Sequence, residues 1–366
     1  MSMAVNSSPI RVLIADDSAV MRAALSRVVE SAPSLEVCGT ARHGLEALEK
    51  IRQLRPDVVT LDVEMPLLNG LEVLKRIMKE FPRPVIMVSS LTQQGAEVTL
   101  EALGVGAFDY LPKADSGHPL DPQKLKHDLI EKIEAAAHSP LARRYERLQA
   151  AQAVPAPTHP AIALQEEFHI LPEILALGTS TGGPKALQEI LPQLPADLPV
   201  GMVIVQHMPP GFTAPFARRL DSLSKVKVRE AANGDIVEPA TVYIAPAGQH
   251  ATISRKTGSR AMITLSDNPP GTLHKPSVDV MMLSVAEAFG RHAAGIILTG
   301  MGSDGLQGMT AIRQAGGVTI GQDEASCAVY GMPRCCAESG ILQRVAPLTQ
   351  VPRLILQAVR YRPPRP

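Results

Sequence analysis

The sequence lacks an excess of charge of either sign. Its 366 residues include 36 lysines and arginines and 36 aspartates and glutamates, so the formal net charge is zero. Domains that bind nucleic acid, and polybasic membrane-binding surfaces, carry clusters of one sign, and no long run of one sign occurs here. We therefore expect no nucleic-acid partner and no electrostatic attachment to a membrane.

The chain is also poor in cysteine and in long apolar stretches. It has four cysteines, and their spacing forms neither a disulfide framework nor a C-x-x-C metal site. We assign Cys327, Cys335 and Cys336 no role beyond packing. No stretch reaches the roughly 18 apolar residues of a membrane helix, and the run Ile10–Ala15 is too short for a secretory signal. We expect a reduced, cytoplasmic protein without direct membrane insertion.

Two successive α/β patterns are present. A hydrophobic content of 45% is sufficient for two cores. In the first part, five short apolar runs alternate with stretches of helical periodicity, which predicts a parallel sheet. An Ala-, Gln- and Pro-rich stretch follows, and a second alternating pattern with some antiparallel hairpin content begins at Ile174. We predict a first domain over residues 1–137, a linker over 138–168 and a second domain over 169–366.

Acidic residues follow the predicted strands of the first domain. Asp16 and Asp17 follow the first strand, Asp62 ends the third, and Lys113 follows the fifth. Because the carboxyl ends of parallel strands meet at one edge of a sheet, three carboxylates should lie together there. Such a cluster favours a hard divalent cation, Mg²⁺ in the first instance, and one carboxylate could then accept a phosphoryl group. The alternative is simple helix capping, for instance by Asp17.

These residues resemble the response-regulator receiver family over about residues 9–135. The resemblance rests on the Asp16-Asp17 pair, on L-D-V-E-M-P-L-L-N-G around Asp62 and on Y-L-P-K ending at Lys113. It implies a flavodoxin-like (βα)5 domain that a sensor histidine kinase of the chemotaxis type phosphorylates. The implied roles are phospho-acceptor for Asp62, Mg²⁺ ligands for Asp16, Asp17, Asp62 and the backbone carbonyl of Glu64, and switch residues for Ser89, Tyr110 and Lys113.

A serine lies in a small-residue turn of the second domain. The motif G-T-S-T-G-G, with Ser180 at its centre, follows a predicted strand and precedes a helix, so its amides could stabilise an oxyanion. Alone, it could equally be a phosphate-cradling turn or a helix cap. A serine nucleophile needs a base and an orienting acid. His207 and Asp304 both follow predicted strands and can share a crevice with Ser180, while His274 is a rival base.

Four motifs in order resemble the catalytic domain of the chemotaxis protein-glutamate methylesterases over about residues 170–362. They are G-T-S-T-G-G, Q-H-M-P-P-G-F-T, H-K-P-S-V-D-V and L-T-G-M-G-S-D-G. The resemblance implies a doubly wound, mostly parallel α/β catalytic domain that needs no cofactor. It implies Ser180 as nucleophile, His207 as base and Asp304 as its orienting acid, with the amides of Thr181 and Met301 as oxyanion donors.

The implied substrates are glutamate γ-methyl esters, and glutamines, on methyl-accepting chemoreceptors. Arg218 and Arg219 could attract an acidic receptor surface, although a solvated helix face is an equally good interpretation. We expect a monomer in which an unphosphorylated first domain inhibits the second. Two other functions stay open at this point: a receiver-controlled binding module, and an esterase for a small molecule.

Overall fold

The computed structural model describes residues 8–90, 92–113, 122–139, 142, 168, 170–255 and 261–362. Its contacts divide the chain into two compact units, residues 1–155 and 156–366. Most of the predicted linker lies outside the described residues. None of the described helices is both long enough and apolar enough to cross a bilayer.

The first unit contains a five-stranded parallel sheet in the order β2-β1-β3-β4-β5. This order is that of the flavodoxin-like folds, so the predicted architecture is confirmed. Every residue of β3 and β4 is buried, as expected for central strands that helices cover on both faces. The elements are β1 Ile10–Ala15, α1 Ala19–Glu30, β2 Leu35–Ala41, α2 Gly44–Leu54, β3 Val58–Asp62, α3 Gly70–Glu80, β4 Val85–Ser89, α4 Gln93–Val105, β5 Asp109–Pro112 and α5 Pro122–His138.

The second unit contains a seven-stranded parallel sheet in the order β14-β13-β12-β6-β7-β9-β8, and a separate antiparallel hairpin of β10 and β11. Its first strand is central and the chain winds outwards on both sides, which confirms a doubly wound sheet. The elements are β6 Ile174–Thr179, α6 Gly183–Ile190, β7 Gly201–Gln206, α7 Thr213–Leu223, β8 Lys227–Glu230, β9 Thr241–Ile244, β10 His250–Arg255, β11 Ala261–Ser266, α8 Val278–Phe289, β12 Ala293–Ile297, α9 Leu306–Gln314, β13 Val318–Gln322, α10 Met332–Glu338, β14 Arg344–Ala346 and α11 Val351–Ala358.

Three elements of the second unit escape the sequence pattern: strands β8 and β14 and helix α10. The two strands form the edges of the large sheet, and they contain four residues and three residues. Edge strands are short and carry charged side chains because one side faces solvent, so they lack the apolar run of a central strand. Helix α10 has only seven residues, too few to establish helical periodicity.

Helix α8 packs directly over the central strand of the second unit. A Cβ atom added to Gly178 on β6 would lie 2.2 Å from Cγ1 of Val278. Val278 is fully buried in the core formed by the large sheet, the hairpin and α8. Because Gly178 precedes the Ser180 turn by two residues, this close contact places the first turn of α8 beside that turn.

Candidate active site and phosphorylation site

The Ser180 turn and His207 leave two adjacent strands. Strand β6 lies between β7 and β12, and the register pairs Thr179 with Gln206 at the ends of β6 and β7. The His207 amide donates to the Thr179 carbonyl at 3.2 Å, and the Ser180 amide donates to the Thr299 carbonyl at 3.1 Å. The Ser180 turn is therefore bonded to the segments on both of its sides.

Glycines let the Ser180 turn approach its neighbours. Gly182 has φ of 78°, the left-handed region that favours glycine, and helix α6 begins at the next residue. On the other side, a Cβ added to Gly300 would lie 2.9 Å from the Cβ of Ser180 and 2.2 Å from Sδ of Met332. The T-G-M-G-S-D-G loop therefore runs against the backbone of the serine.

His207 and Asp304 form a hydrogen-bonded pair. Nε2 of His207 lies 2.8 Å from Oδ2 of Asp304, and the two side chains are 8% and 14% exposed. The other ring nitrogen of His207, Nδ1, is buried and has no hydrogen-bond partner among the described residues. Asp304 therefore occupies one side of the ring, and Nδ1 is the nitrogen available for proton transfer.

The N-terminus of helix α8 holds the Asp304 carboxylate. Oδ2 accepts from the amide of Val278 at 2.7 Å, and Oδ1 accepts from the Ser277 hydroxyl at 2.8 Å and the Asp279 amide at 2.9 Å. Burial raises the pKa of Asp304, but the bond to His207 and those to the helix amides outweigh it and hold the pKa well below its usual range. Asp304 is thus a fixed, ionised group hydrogen-bonded to His207.

Asp279, in the first turn of α8, binds the N-terminus of the helix that follows Asp304. Its Oδ1 accepts from the Gly308 amide at 2.8 Å, in the first turn of α9. Burial raises the pKa of Asp279, while the bond from Gly308 opposes the rise. The N-terminus of α8 therefore binds Asp304, which precedes α9, and the N-terminus of α9 binds Asp279, which lies in the first turn of α8.

The contacts in the structure distinguish the histidines that the sequence offered as candidates for the base. The His274 ring stacks on the His207 ring with centroids 3.9 Å apart and planes 17° apart, but His207 is the one bonded to Asp304. His250 is buried, and its Nδ1 accepts from the Ser277 amide at 3.2 Å. His292 lies near the Leu171 carbonyl, and His169 lies outside the described residues.

The two predicted oxyanion donors both belong to backbone that adjoins Ser180. Thr181 follows it in the turn, and Met301 follows Gly300, whose backbone adjoins Ser180. Among the backbone hydrogen bonds of the described residues, neither the Thr181 amide nor the Met301 amide is a donor. Both amides are therefore available to an oxygen atom bound beside the serine.

The predicted acidic cluster of the first unit forms. Carboxylate oxygens of Asp16, Asp17 and Asp62 lie within 4.8 Å of one another. Nζ of Lys113 is 3.0 Å from Oδ2 of Asp16 and 2.7 Å from Oδ2 of Asp62. The helix-capping alternative for Asp17 is not supported, because Ser18 is the N-cap of α1 and accepts from the Met21 amide.

The cluster fits a divalent cation. Burial raises the pKa of Asp62 to about 6, although its ion pair with Lys113 lowers it. One ammonium group does not balance three carboxylates, and carboxylate oxygens are the ligands of hard cations such as Mg²⁺. The amide of Glu64 donates to Oδ1 of Asp62 at 3.3 Å, which brings the Glu64 backbone next to the cluster.

Ser89 and Tyr110 lie on the neighbouring strands β4 and β5. Both are buried, and the Ser89 hydroxyl donates to the carbonyl of Gly95 in the first turn of α4 at 3.1 Å. The amide of Lys113 donates to the Ser89 carbonyl at 2.6 Å. A backbone hydrogen bond therefore links the strand ends that carry Ser89 and Lys113.

Comparisons with known proteins match each unit to a family. The receiver-domain family model matches residues 12–129, and the CheB methylesterase model matches residues 175–355. A protein-glutamate methylesterase/protein-glutamine glutaminase of Pyrococcus abyssi is 44% identical over 362 residues, covering 98% of this chain and 95% of that protein. The chain belongs to the CheB methylesterase family. A relative with the same description from Desulfitobacterium hafniense is 41% identical over 97% of this chain.

Solved structures support the CheB assignment of the second unit. The crystal structure of the Thermotoga maritima CheB methylesterase catalytic domain is 37% identical and matches with a TM-score of 0.50. The match covers 51% of this chain and 99% of the Thermotoga maritima domain. As a CheB family member, the chain is a protein-glutamate methylesterase and protein-glutamine glutaminase under the control of a receiver domain. The receiver implies a histidine kinase as phosphodonor, and the methylesterase implies chemoreceptor substrates.

Three residues that the sequence did not single out support the candidate site of this CheB family member. Ser277 bonds Asp304, His250 bonds the Ser277 amide, and Gln206 bonds the carbonyls of Ser180 and His207. A signal for Ser277 was present, because a serine before a helix is a frequent N-cap. Gln206 opens the motif Q-H-M-P-P-G-F-T, but the motif does not show which carbonyls its side chain bonds, and His250 gave no signal because it acts through a loop that only the fold brings close.

Proposed function

We propose that Ser180, His207 and Asp304 are the catalytic triad of this methylesterase. The observation that carries the proposal is the His207–Asp304 hydrogen bond of 2.8 Å, formed beside a serine turn that leaves the adjacent strand. The buried, unpaired Nδ1 of His207 is then the base that takes the proton of the Ser180 hydroxyl.

The reaction follows from these positions. Oγ of Ser180 attacks the γ-carbonyl carbon of a glutamate methyl ester as Nδ1 of His207 takes its proton. The amides of Thr181 and Met301 donate to the oxyanion that forms. The C–O bond to the methoxy group then breaks, and His207 returns the proton to release methanol. Water, deprotonated by His207, hydrolyses the acyl-serine and leaves the glutamate carboxylate. A glutamine side chain would react in the same way and release ammonia. These steps need no cofactor in the second unit.

In the first unit, we propose that Asp62 is the phosphorylated residue. Asp16, Asp17 and Asp62, with the backbone carbonyl of Glu64, would hold Mg²⁺, which supplies charge neutralisation of the transferred phosphoryl group. Lys113 already contacts Asp62 at 2.7 Å and would bind a phosphoryl oxygen there. Ser89 and Tyr110 would respond to the modified site. The bond between the Ser89 hydroxyl and Gly95 supports a switch, because a phosphoryl oxygen would compete for that hydroxyl.

The proposed partners are methyl-accepting chemoreceptors, as substrates, and a chemotaxis-type sensor histidine kinase. We propose a cytoplasmic monomer that binds no nucleic acid. The unphosphorylated receiver would inhibit the esterase, and phosphorylation of Asp62 would release it. The covalent linkage of the two units and the prolines in the connector motivate this switch. The domain limits 1–137 and 169–366, with the linker 138–168, belong to the same proposal.

One assay tests the triad and the control together. Methyl-labelled receptor is incubated with the full-length protein, with and without acetyl phosphate and Mg²⁺, and released methanol is counted. We expect acetyl phosphate to raise the rate in the wild type but not in Asp62→Asn, and Ser180→Ala to be inactive. Methanol release by Ser180→Ala at the wild-type rate would remove Ser180 as the nucleophile. A wild type that binds receptor but releases nothing would favour a binding module.

A further inference from the structure

Gln206 joins the backbone of the serine turn to the backbone of the histidine loop. It is the last residue of β7, it pairs in register with Thr179, and it is 1% exposed. Its side-chain Nε2 donates to the Ser180 carbonyl at 2.9 Å and to the His207 carbonyl at 3.0 Å. A primary amide has two N–H groups, so both donors of Gln206 are used on these two carbonyls.

The surroundings fix the orientation of this amide. With the amide turned over, its oxygen would face the two carbonyl oxygens, an arrangement without any donor. The opposite side is closed by the start of helix α6, where a Cβ added to Gly183 would lie 2.0 Å from Oε1 of Gln206 and 2.5 Å from Oγ1 of Thr179. Gly183 therefore provides the space that the Gln206 side chain occupies.

We propose that Gln206 is a positioning residue that sets the separation of Ser180 and His207. This inference rests on the proposed roles of those two residues. Gln206 touches neither the hydroxyl nor the imidazole, and its two donors instead fix the backbone from which each side chain projects. Without them, the His207 carbonyl loses its side-chain donor in a buried site, which is costly, the Ser180 carbonyl keeps only the Gly183 amide at 2.8 Å, and the bridge between the two loops is lost. Small shifts of a nucleophile against its base slow the chemical step far more than they weaken substrate binding.

The test uses full-length protein activated with acetyl phosphate and Mg²⁺. Gln206→Met removes both donors and keeps the length of the side chain, and Gln206→Glu keeps its shape but replaces two N–H donors with one O–H at most, present only when the carboxyl is protonated. The matched control is Gln343→Met. Gln343 accepts from the Thr319 amide at 2.9 Å, near the start of β13, where its loss affects the same sheet but not the Ser180 turn.

We expect both Gln206 variants to lose about 10- to 100-fold in kcat with KM within about threefold of the wild type. Labelling of Ser180 by a fluorophosphonate, which reports the reactivity of the serine without receptor binding, should slow by a similar factor. Gln343→Met should leave kcat and the labelling rate unchanged. Rates are expressed per folded molecule, with the folded fraction taken from circular dichroism.

Three results would overturn the proposal: unchanged kcat in either Gln206 variant, a loss that only matches the unfolded fraction, or an equal loss in Gln343→Met. Failure of the proposed catalytic roles would look different. In that case Ser180→Ala would retain methanol release, and the fluorophosphonate would not inactivate the wild type.

Discussion

Replacing Asp304 with asparagine should separate the charge of this residue from its shape. In the wild type, Nε2 of His207 and the amide of Val278 both bond to Oδ2 of Asp304. The asparagine oxygen can take the place of Oδ2 and accept both bonds. The NH2 group of the asparagine would face the two groups that donate to Oδ1 in the wild type. The Ser277 hydroxyl can rotate to accept a hydrogen bond from it, but the Asp279 amide is only a donor and loses its partner. The ring of His207 therefore keeps one hydrogen bond but loses the negative charge that stabilises its protonated form.

The magnitude follows from the geometry of the ion pair. Two unit charges about 4 Å apart at an effective dielectric constant of about 20 interact by about 4 kcal/mol. Because the imidazolium forms only during the reaction, this energy appears in the barrier, and about 1.4 kcal/mol corresponds to a factor of ten. We expect kcat for methanol release to fall by about 10³. The unpaired Asp279 amide and the weaker bonds to the helix should lower the free energy of unfolding by about 2–4 kcal/mol.

The control is Asp279→Asn, measured by the same methanol assay and by urea unfolding. Asp279 binds the first turn of α9 through the Gly308 amide, and an asparagine oxygen can still accept that bond, so this variant should lose less stability than Asp304→Asn and less than about tenfold in kcat. If Asp304→Asn is folded and within tenfold of the wild-type kcat, or if Asp279→Asn is equally slow, the assignment of Asp304 is wrong.

The pH dependence of stability adds a second measure for Asp304. Its folded pKa is depressed, so its contribution to the free energy of unfolding is complete above the unfolded pKa of about 4 and is lost as pH falls towards the folded pKa. Urea unfolding between pH 5 and pH 2 should show a steeper loss in the wild type than in Asp304→Asn. Equal slopes would contradict the depressed pKa.

Three further predictions concern single residues. In the fold, the pKa of Asp62 is raised to about 6, so in EDTA the free energy of unfolding of the first unit should fall by about 2–3 kcal/mol as pH rises from 4 to above 6. Urea unfolding of Asp62→Asn should lack this pH dependence. Ser277→Ala removes one donor to Asp304 and the N-cap of α8, so it should lower the free energy of unfolding in urea by about 1–2 kcal/mol and lower kcat. A variant with the stability and kcat of the wild type would contradict this. Gly300→Ala places a Cβ 2.2 Å from Sδ of Met332 and 2.9 Å from the Cβ of Ser180. Fluorophosphonate labelling of Ser180 should therefore slow, and an unchanged labelling rate would show that the loop accommodates the methyl group.

The receiver could be predicted from the sequence because its information is local. The apolar runs of β3 and β4 are buried at every residue, and the acids stand directly at strand ends. The sheet order then brings Asp16, Asp62 and Lys113 together without any further assumption. Even the competing capping role of Asp17 is decided by its neighbour, Ser18.

The catalytic site could be predicted less completely, because its support comes from residues distant in the chain. His207 and Asp304 are 97 residues apart, and only the resemblance selected them over His274. Nothing in the sequence shows that the α8 N-terminus binds Asp304, or that the two histidine rings stack. The first of these depends on how α8 packs over β6, a close contact that the missing side chain of Gly178 permits.

The exchange of carboxylates between helices α8 and α9 has a consequence for how this enzyme tolerates change. Catalytic residues commonly reduce the stability of a fold, so that a protein gains stability when they are lost. In its proposed role Asp304 is different, because the same carboxylate that bonds His207 also binds the N-terminus of α8. Selection for a stable domain and selection for a fast esterase therefore act on this position in the same direction. A lineage that lost the esterase activity would still have reason to keep Asp304.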